Sequence, residues 1–239
     1  QWFDSLLPIM LVIAGGWLIV QVAGVDVAGA VQAVFMPLQS ALTSPVGFVF
    51  FCFLKCFIYS MGISTWVLTP VDEPVKLAVI TANLELVAAG IATYQNLGIF
   101  TETFMFCTYL WIGGVGCTLS LCLLMMFICK SSELKALGRA CVVPGIFNIN
   151  EPIIFGAIAW NPLLMLPMWI QGIILPIVTY LFTKVIPFAP IPRIQFDLWY
   201  CPYPISTFIA TQGSITGVIF AILTFVLSAV IWFPFVKAY

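Results

Sequence analysis

Glu151 stands in the stretch NINEP, between Asn148 and Asn150 on one side and Pro152 on the other, in a chain of 239 residues of which only 7% are charged. An ionised acid at the centre of a membrane helix costs about 2.5–3.5 kcal/mol even on the lenient insertion scale, so such residues usually face a cavity and mark function. The competing reading, a buried acid paired with a lysine, is weaker because the nearest basic residues in sequence lie across a charged loop. Proline favours the first helical position and pushes its predecessor out of the helical region, so Pro152 is expected to open a half-helix with Glu151 as its cap. The positive end of that half-helix would keep the carboxylate ionised and make it an acceptor for neutral hydroxyls. Asn148 and Asn150 add amide donors and acceptors to the same break. Carboxylate and amides together suit a sugar, whose hydroxyls they satisfy in pairs while aromatic rings cover its apolar faces. Trp199, Tyr200 and Tyr203 offer such rings, although the tyrosines fit an interfacial aromatic belt equally well.

These residues need a scaffold, and the composition says which kind. The chain is 63% hydrophobic and 15% aromatic, with a mean hydropathy of +1.16, far above the roughly half-apolar content of soluble domains. Several apolar stretches exceed the ~18 residues needed to cross a bilayer as helix. Runs such as LTFVLSAVIWFPF are apolar on every side, whereas barrel strands would alternate, so the fold class is an all-α membrane protein. Net charge is -1 with no long run of either sign, which gives nucleic acid nothing to bind. The eight cysteines come with no histidine and mostly sit in apolar runs, so they read as small packing residues. Cys52 and Cys56 share a helix face, but two thiols without further ligands make no zinc site, and neither a metal nor a cofactor is expected.

Along the chain, spans are expected at about 3–25, 46–68, 100–129, 162–188 and 215–235. The segment DVAGAVQAVFMPLQSALTSP suits an interfacial helix or a linking arm. Lys55 falls inside the second span, where it is expected to snorkel or face protein. Residues 70–97 carry most of one half's charge and read as a hairpin. WIGGVGCTL supplies small residues that let helices approach closely or unwind. The basic stretch at 130–140 is expected in a cytoplasmic loop. Residues 141–160 could span by length, but Pro144, Gly145 and Pro152 interrupt them, so a second hairpin of two half-helices fits better. Unwound backbone at that depth is tolerated only where it is buried in protein or lines a watery cavity. The whole is a polytopic bundle whose re-entrant hairpins and broken helices form a substrate-binding domain.

The segments GIFNINEPIIFG, NPLLMLP, WIGGVGCTL and ISTFIATQGSITGVIFAILTFVLSAVIWFPFVKAY resemble the membrane subunit, enzyme IIC, of bacterial phosphotransferase systems, in its lactose, cellobiose and diacetylchitobiose branch. The resemblance covers most of the chain from about residue 45 onward in the right order. It implies that residues 1–45 correspond to the last helix of a dimerisation half plus an amphipathic linking helix, and 46–239 to the substrate-binding transport domain. Nothing in the sequence corresponds to that family's earlier helices. It implies further that Glu151 holds the sugar hydroxyl to be phosphorylated and serves as its base, that Asn150 is a sugar ligand, and that Trp199 stacks on the sugar. Two departures stand out. Ser64 occupies the place of a histidine; as a candidate sugar ligand it can still bond a hydroxyl, but it cannot carry a proton or charge near neutral pH. Thr103 replaces an expected proline, which leaves open the role of Glu102, a further candidate sugar-binding residue.

The function implied is translocation of a sugar, of the disaccharide class, across the bacterial inner membrane, coupled to its phosphorylation by a cytoplasmic enzyme IIB. The chain would be the multi-pass membrane component of a protein-phosphocysteine-sugar phosphotransferase, a homodimer in contact with lipid. Two rivals share these residues: a secondary transporter that works without phosphorylation, with Glu151 or Glu102 carrying protons, and a truncated, transport-inactive homologue.

Overall fold

The computed structural model describes residues 2–23 and 37–239. The chain divides into two compact units, Gln1–Ser40 and Ala41–Tyr239. The first contains helix α1, Trp2–Ala23, with an exposed apolar stretch from Leu7 to Leu18. Residues 24–36, which hold the end of the expected first span and the first part of the expected linking arm, lie outside the described residues. A short helix α2, Pro37–Thr43, follows.

The second unit is helical throughout its described elements. α3 runs Pro45–Ser60; Ser44 caps it by accepting from the Gly47 N–H, and Pro45 sits in the first turn, where its missing N–H costs nothing. A 3-10 turn, Thr65–Leu68, leads into α4, Thr69–Ala88. The short α5, Glu102–Cys107, and α6, Thr118–Phe127, come next. α7 covers Ser132–Ile146, and α8, Glu151–Ile153, continues as a π-turn over Ile154–Ile158. α9, Pro162–Tyr180, extends through a second π-turn to Val185. After an irregular stretch come α10, Ile205–Ala210, and α11, Ile215–Lys237.

Among the described residues two helices are long and apolar enough to cross a membrane, Pro162–Val185 and Ile215–Lys237, or up to three if the bent pair α2 and α3 is one span. α3 packs on α9, α6 on α7, and α11 against both α6 and α9. A polar brace joins three of these helices inside the apolar core. Gln171 Nε2 donates to Ser228 Oγ at 2.9 Å, Ser228 Oγ lies 2.7 Å from Ser120 Oγ, and Ser228 also reaches the Cys117 carbonyl. Helix-to-helix hydrogen bonds of this kind contribute about 0.6–2 kcal/mol each where lipid offers no alternative partner. The cysteines are all free, and seven of the eight are buried.

Four expectations are revised. The span at 100–129 is not continuous: positive φ at Gly113, Gly114, Gly116 and Cys117 unwinds WIGGVGCTL between α5 and α6. The basic stretch at 130–140 is not a loop but mostly the first turns of α7, which Ser131 caps at the Leu134 N–H. Residues 70–97 form a lopsided hairpin, one 20-residue helix followed by an irregular return arm. Asn83 holds that arm by donating to the Gly98 carbonyl at 2.8 Å and accepting from its N–H at 2.7 Å. Finally, Asn150 rather than Glu151 is the boundary residue of α8. Pro152 at the second helical position lacks an N–H that the first turn would leave unpaired anyway, so helix begins one residue earlier than expected.

Candidate functional site

The helix break expected in NINEP is present. α7 ends at Ile146, Phe147 leaves the helical region, and Asn148 takes a left-handed conformation with φ 61°. Asparagine tolerates that region better than most side chains because its short amide bonds locally. Here the amide is the knot of the site. Asn148 Oδ1 accepts from the Gly113 N–H at 2.7 Å, and its Nδ2 donates to the Phe106 carbonyl at 3.3 Å and to the Trp199 carbonyl at 2.5 Å. One side chain thus ties the break to α5, to the unwound glycine loop and to the irregular segment before α10. Asn150, also buried, donates from Nδ2 to the Val115 carbonyl at 2.9 Å and accepts at Oδ1 from the Tyr59 hydroxyl at 3.3 Å. Gly114, at φ 93°, lies flush against it: a Cβ there would stand 2.4 Å from Asn150 Cγ.

These contacts enclose a cavity of about 330 Å³, at the small end of the range that holds small-molecule ligands. Asn148, Asn150 and Glu151 form one wall. Glu151 is exposed, and no ion pair or hydrogen bond engages its carboxylate among the described residues. Trp199, half-buried, forms another wall, its indole edge-to-face with Tyr200 at 5.5 Å. Tyr200 itself is exposed, and Tyr203 does not line the cavity.

The cavity is also lined by charged residues that, apart from Glu102, sequence patterning did not single out as a site. Lys55 is buried, its Nζ 2.5 Å from Asp72 Oδ2 and over the rings of Phe51 and Phe106 at 5.3 and 5.5 Å. The lysine therefore faces protein, as one of the two expectations had it. Lys76 is buried too, 2.6 Å from Glu102, 2.7 Å from Glu73 and 3.7 Å from Asp72. Burial pulls its ammonium down, but Glu102, Asp72 and Glu73 outweigh that and hold it above its ordinary range. Glu102 thus reaches the cavity as half of an ion pair, not as a free acid. The i, i+4 spacing of Asp72 and Lys76 was the available signal, but only the tertiary fold brings Lys55 and Glu102 to it.

Ser64 is exposed, caps the 3-10 turn with its oxygen 3.4 Å from the Trp66 nitrogen, and is not among the cavity's lining residues; its neighbours Thr65 and Trp66 are. Thr103 has a structural use that a proline would lack: its hydroxyl accepts from the Phe196 N–H at 3.0 Å and so anchors the segment carrying Trp199. The Tyr109 hydroxyl pins the same segment through the Pro190 carbonyl at 2.7 Å.

Because Asn148 carries three backbone partners, Asn148→Ala is expected to destabilise the unit well beyond a surface change, by about 1–3 kcal/mol for each buried group left unpaired. The expected readout is a lower melting temperature of detergent-solubilised protein; an unchanged melting curve would show that the loops hold together without it.

A family model described as "Phosphotransferase system, EIIC" matches residues 1–172 of the chain. The lactose-specific EIICB component of Lactococcus lactis subsp. lactis is 32% identical over 247 residues, covering 100% of this chain and 42% of that protein. The cellobiose-specific EIIC component of Geobacillus stearothermophilus is 40% identical over 138 residues, covering 57% of this chain and 30% of that protein. Among solved structures, the transporter ChbC, the IIC component from the N,N'-diacetylchitobiose-specific phosphotransferase system, superposes with a TM-score of 0.80 at 30% identity, covering 98% of this chain and 55% of that one. The chain therefore spans less than half the length of the lactose-specific relatives it matches.

Proposed function

The chain belongs to the phosphotransferase system EIIC family, and on that premise we propose that it carries a sugar across the bacterial plasma membrane while an enzyme IIB phosphorylates it. EIIC proteins are membrane components, and the long apolar helices described above agree with that. The multi-pass arrangement, the homodimer and the division into a dimerisation part at 1–45 and a transport domain at 46–239 belong to the same reading. So does the substrate class. Relatives are named for lactose, cellobiose and oligo-beta-mannosides, and a disaccharide is the class proposed here.

The observation that carries the reading is the carboxylate of Glu151, without an ion-pair partner among the described residues, at a broken helix on a cavity that also presents Asn150 and Trp199. In the proposed step Glu151 accepts a hydrogen bond from the sugar hydroxyl. The oxygen attacks the phosphorus of the enzyme IIB phosphocysteine, the S–P bond breaks as the O–P bond forms, and the hydroxyl proton passes to Glu151. The chain's part is alignment and proton removal, the contributions on which phosphoryl transfer chiefly depends. Trp199 offers the sugar an apolar face and Asn150 an amide, while Asn148 contributes by holding the walls in place and Glu102 through its pair with Lys76.

Uptake by vesicles containing the protein, with and without phosphorylated enzyme IIB, tests this directly. Accumulation of phosphorylated sugar only when the phosphodonor is present is expected. Uptake at the same rate without it would support a secondary transporter instead, and no binding or uptake of any sugar would support an inactive homologue.

A further inference from the structure

The charges on the cavity wall are unbalanced. Lys55 and Lys76 face four lining carboxylates, Glu73, Glu102, Glu151 and Asp197. Both lysines are already engaged, Lys55 by Asp72 and Lys76 by Glu102, Glu73 and Asp72. Neither can turn toward an incoming anion without leaving a buried or half-buried carboxylate unpaired, which is among the costlier changes a protein can make. Asp197 accepts from the amide of Gln195 and has no cation partner among the described residues. Arg193, four residues earlier on the same segment, is exposed, forms no described ion pair and does not line the cavity. A site built to retain a phosphate group would show free Lys or Arg donors; this one shows, among its lining residues, the carboxylates of Glu151 and Asp197 without a cation partner among the described residues.

Resting on the sugar-translocation reading, we propose that Asp197 and Glu73 make this cavity select its occupant by charge, admitting neutral sugars and rejecting the anionic phosphorylated product. The physical basis is direct. Phosphorylation turns a neutral sugar into an anion of about -1.5 to -2 charge. Inside a partly enclosed cavity that charge meets carboxylates whose field is screened less than in bulk water. The step that traps the sugar chemically thereby also weakens its hold on the site. Asp197 is exposed and the Glu73 side chain is 43% exposed, so each contributes a few-fold effect rather than an all-or-none one. Both are specificity determinants in this proposal, and neither takes part in the transfer step.

The test uses the detergent-solubilised chain and competition binding with lactose, cellobiose and N,N'-diacetylchitobiose, each beside its 6-phosphate and its uncharged 6-O-acetyl ester. For a parent that binds, the 6-phosphate is expected to bind at least about tenfold more weakly, and the ester to fall between the two. Asp197→Asn keeps an acceptor for Gln195 and should narrow the gap between parent and phosphate about three- to fivefold, with the parent unchanged. Glu73→Gln should do the same to a similar degree, and raising the salt from 20 mM to 500 mM should narrow the gap in the unmodified protein. A 6-phosphate that binds as well as its parent overturns the inference while leaving the sugar reading intact. So does a gap that the ester reproduces and that neither substitution nor salt alters, because exclusion would then be steric. Failure of all three parents to bind overturns the sugar reading and this inference with it.

Discussion

Glu151→Gln is expected to reduce formation of phosphorylated sugar by 10²- to 10⁴-fold, the range typical of losing a positioned acid or base, while weakening sugar binding by less than about tenfold. The asymmetry follows from what the amide keeps. Glutamine has nearly the same shape and retains one carbonyl oxygen to accept from the hydroxyl, but it cannot take up the proton when the O–P bond forms. The environment makes this a clean substitution. No ion pair or hydrogen bond holds the Glu151 carboxylate among the described residues, so removing its charge leaves no lysine unpaired, unlike a change at Glu102, which would strip Lys76 of its 2.6 Å partner. Calorimetric sugar binding and product formation with phosphorylated enzyme IIB, measured on the same preparation, separate the two effects. Product at the unmodified rate would remove Glu151 from the chemistry, and equal losses of binding and rate would make it a ligand only.

The second large effect is expected at Gly113. Its φ of 84° is one that side-chain-bearing residues rarely adopt, and an added Cβ would stand 2.3 Å from Leu119 Cβ and 2.4 Å from the Leu119 backbone nitrogen. A side-chain tip could swing away, but a backbone nitrogen cannot move without shifting the start of α6. Gly113 also donates its N–H to Asn148 and accepts the Thr118 hydroxyl at 2.6 Å, so any displacement reaches the NINEP break as well. Gly113→Ala is therefore expected to cost about 3 kcal/mol or more, from backbone strain together with the contact. The expected signs are a sharp fall in monodisperse yield and loss of sugar binding in whatever protein survives. Normal yield with normal binding would mean that the loop has room the geometry does not suggest.

Composition placed the chain in a membrane, with 63% hydrophobic content, and the absence of period-two alternation in its apolar runs left helices rather than a barrel as the way to satisfy the backbone. The break at NINEP was equally legible. Of the interruptions expected there, Pro144 and Gly145 stay inside α7, just as α9 runs on through Pro167 and Pro176; the break falls at the polar residues ahead of Pro152, which opens α8, and Asn148, Asn150 and Glu151 do meet at one cavity. Pattern was less informative about what those residues do. Asn148 reads as a sugar ligand in the sequence, yet its amide is committed to three backbone groups contributed by residues 35 to 51 positions away. Nothing in local spacing encodes such partners.

The charged wall was the larger omission. Read along the chain, Lys55 is an awkward residue in a span and Asp72, Glu73 and Lys76 are the polar part of a hairpin. Folding brings them together with Glu102, so that isolated charges become a network, of which Lys55, Glu73, Lys76 and Glu102 line the site and the buried Asp72 lies behind them. Ser64 shows the reverse: matched to a functional position by resemblance, it caps a 3-10 turn and is not among the lining residues. Helix type, membrane affinity and chain breaks follow from short-range sterics and solvation, which sequence records residue by residue. The pairing of charges and the commitment of each amide depend on which distant backbone arrives beside them, and only the tertiary structure decides that.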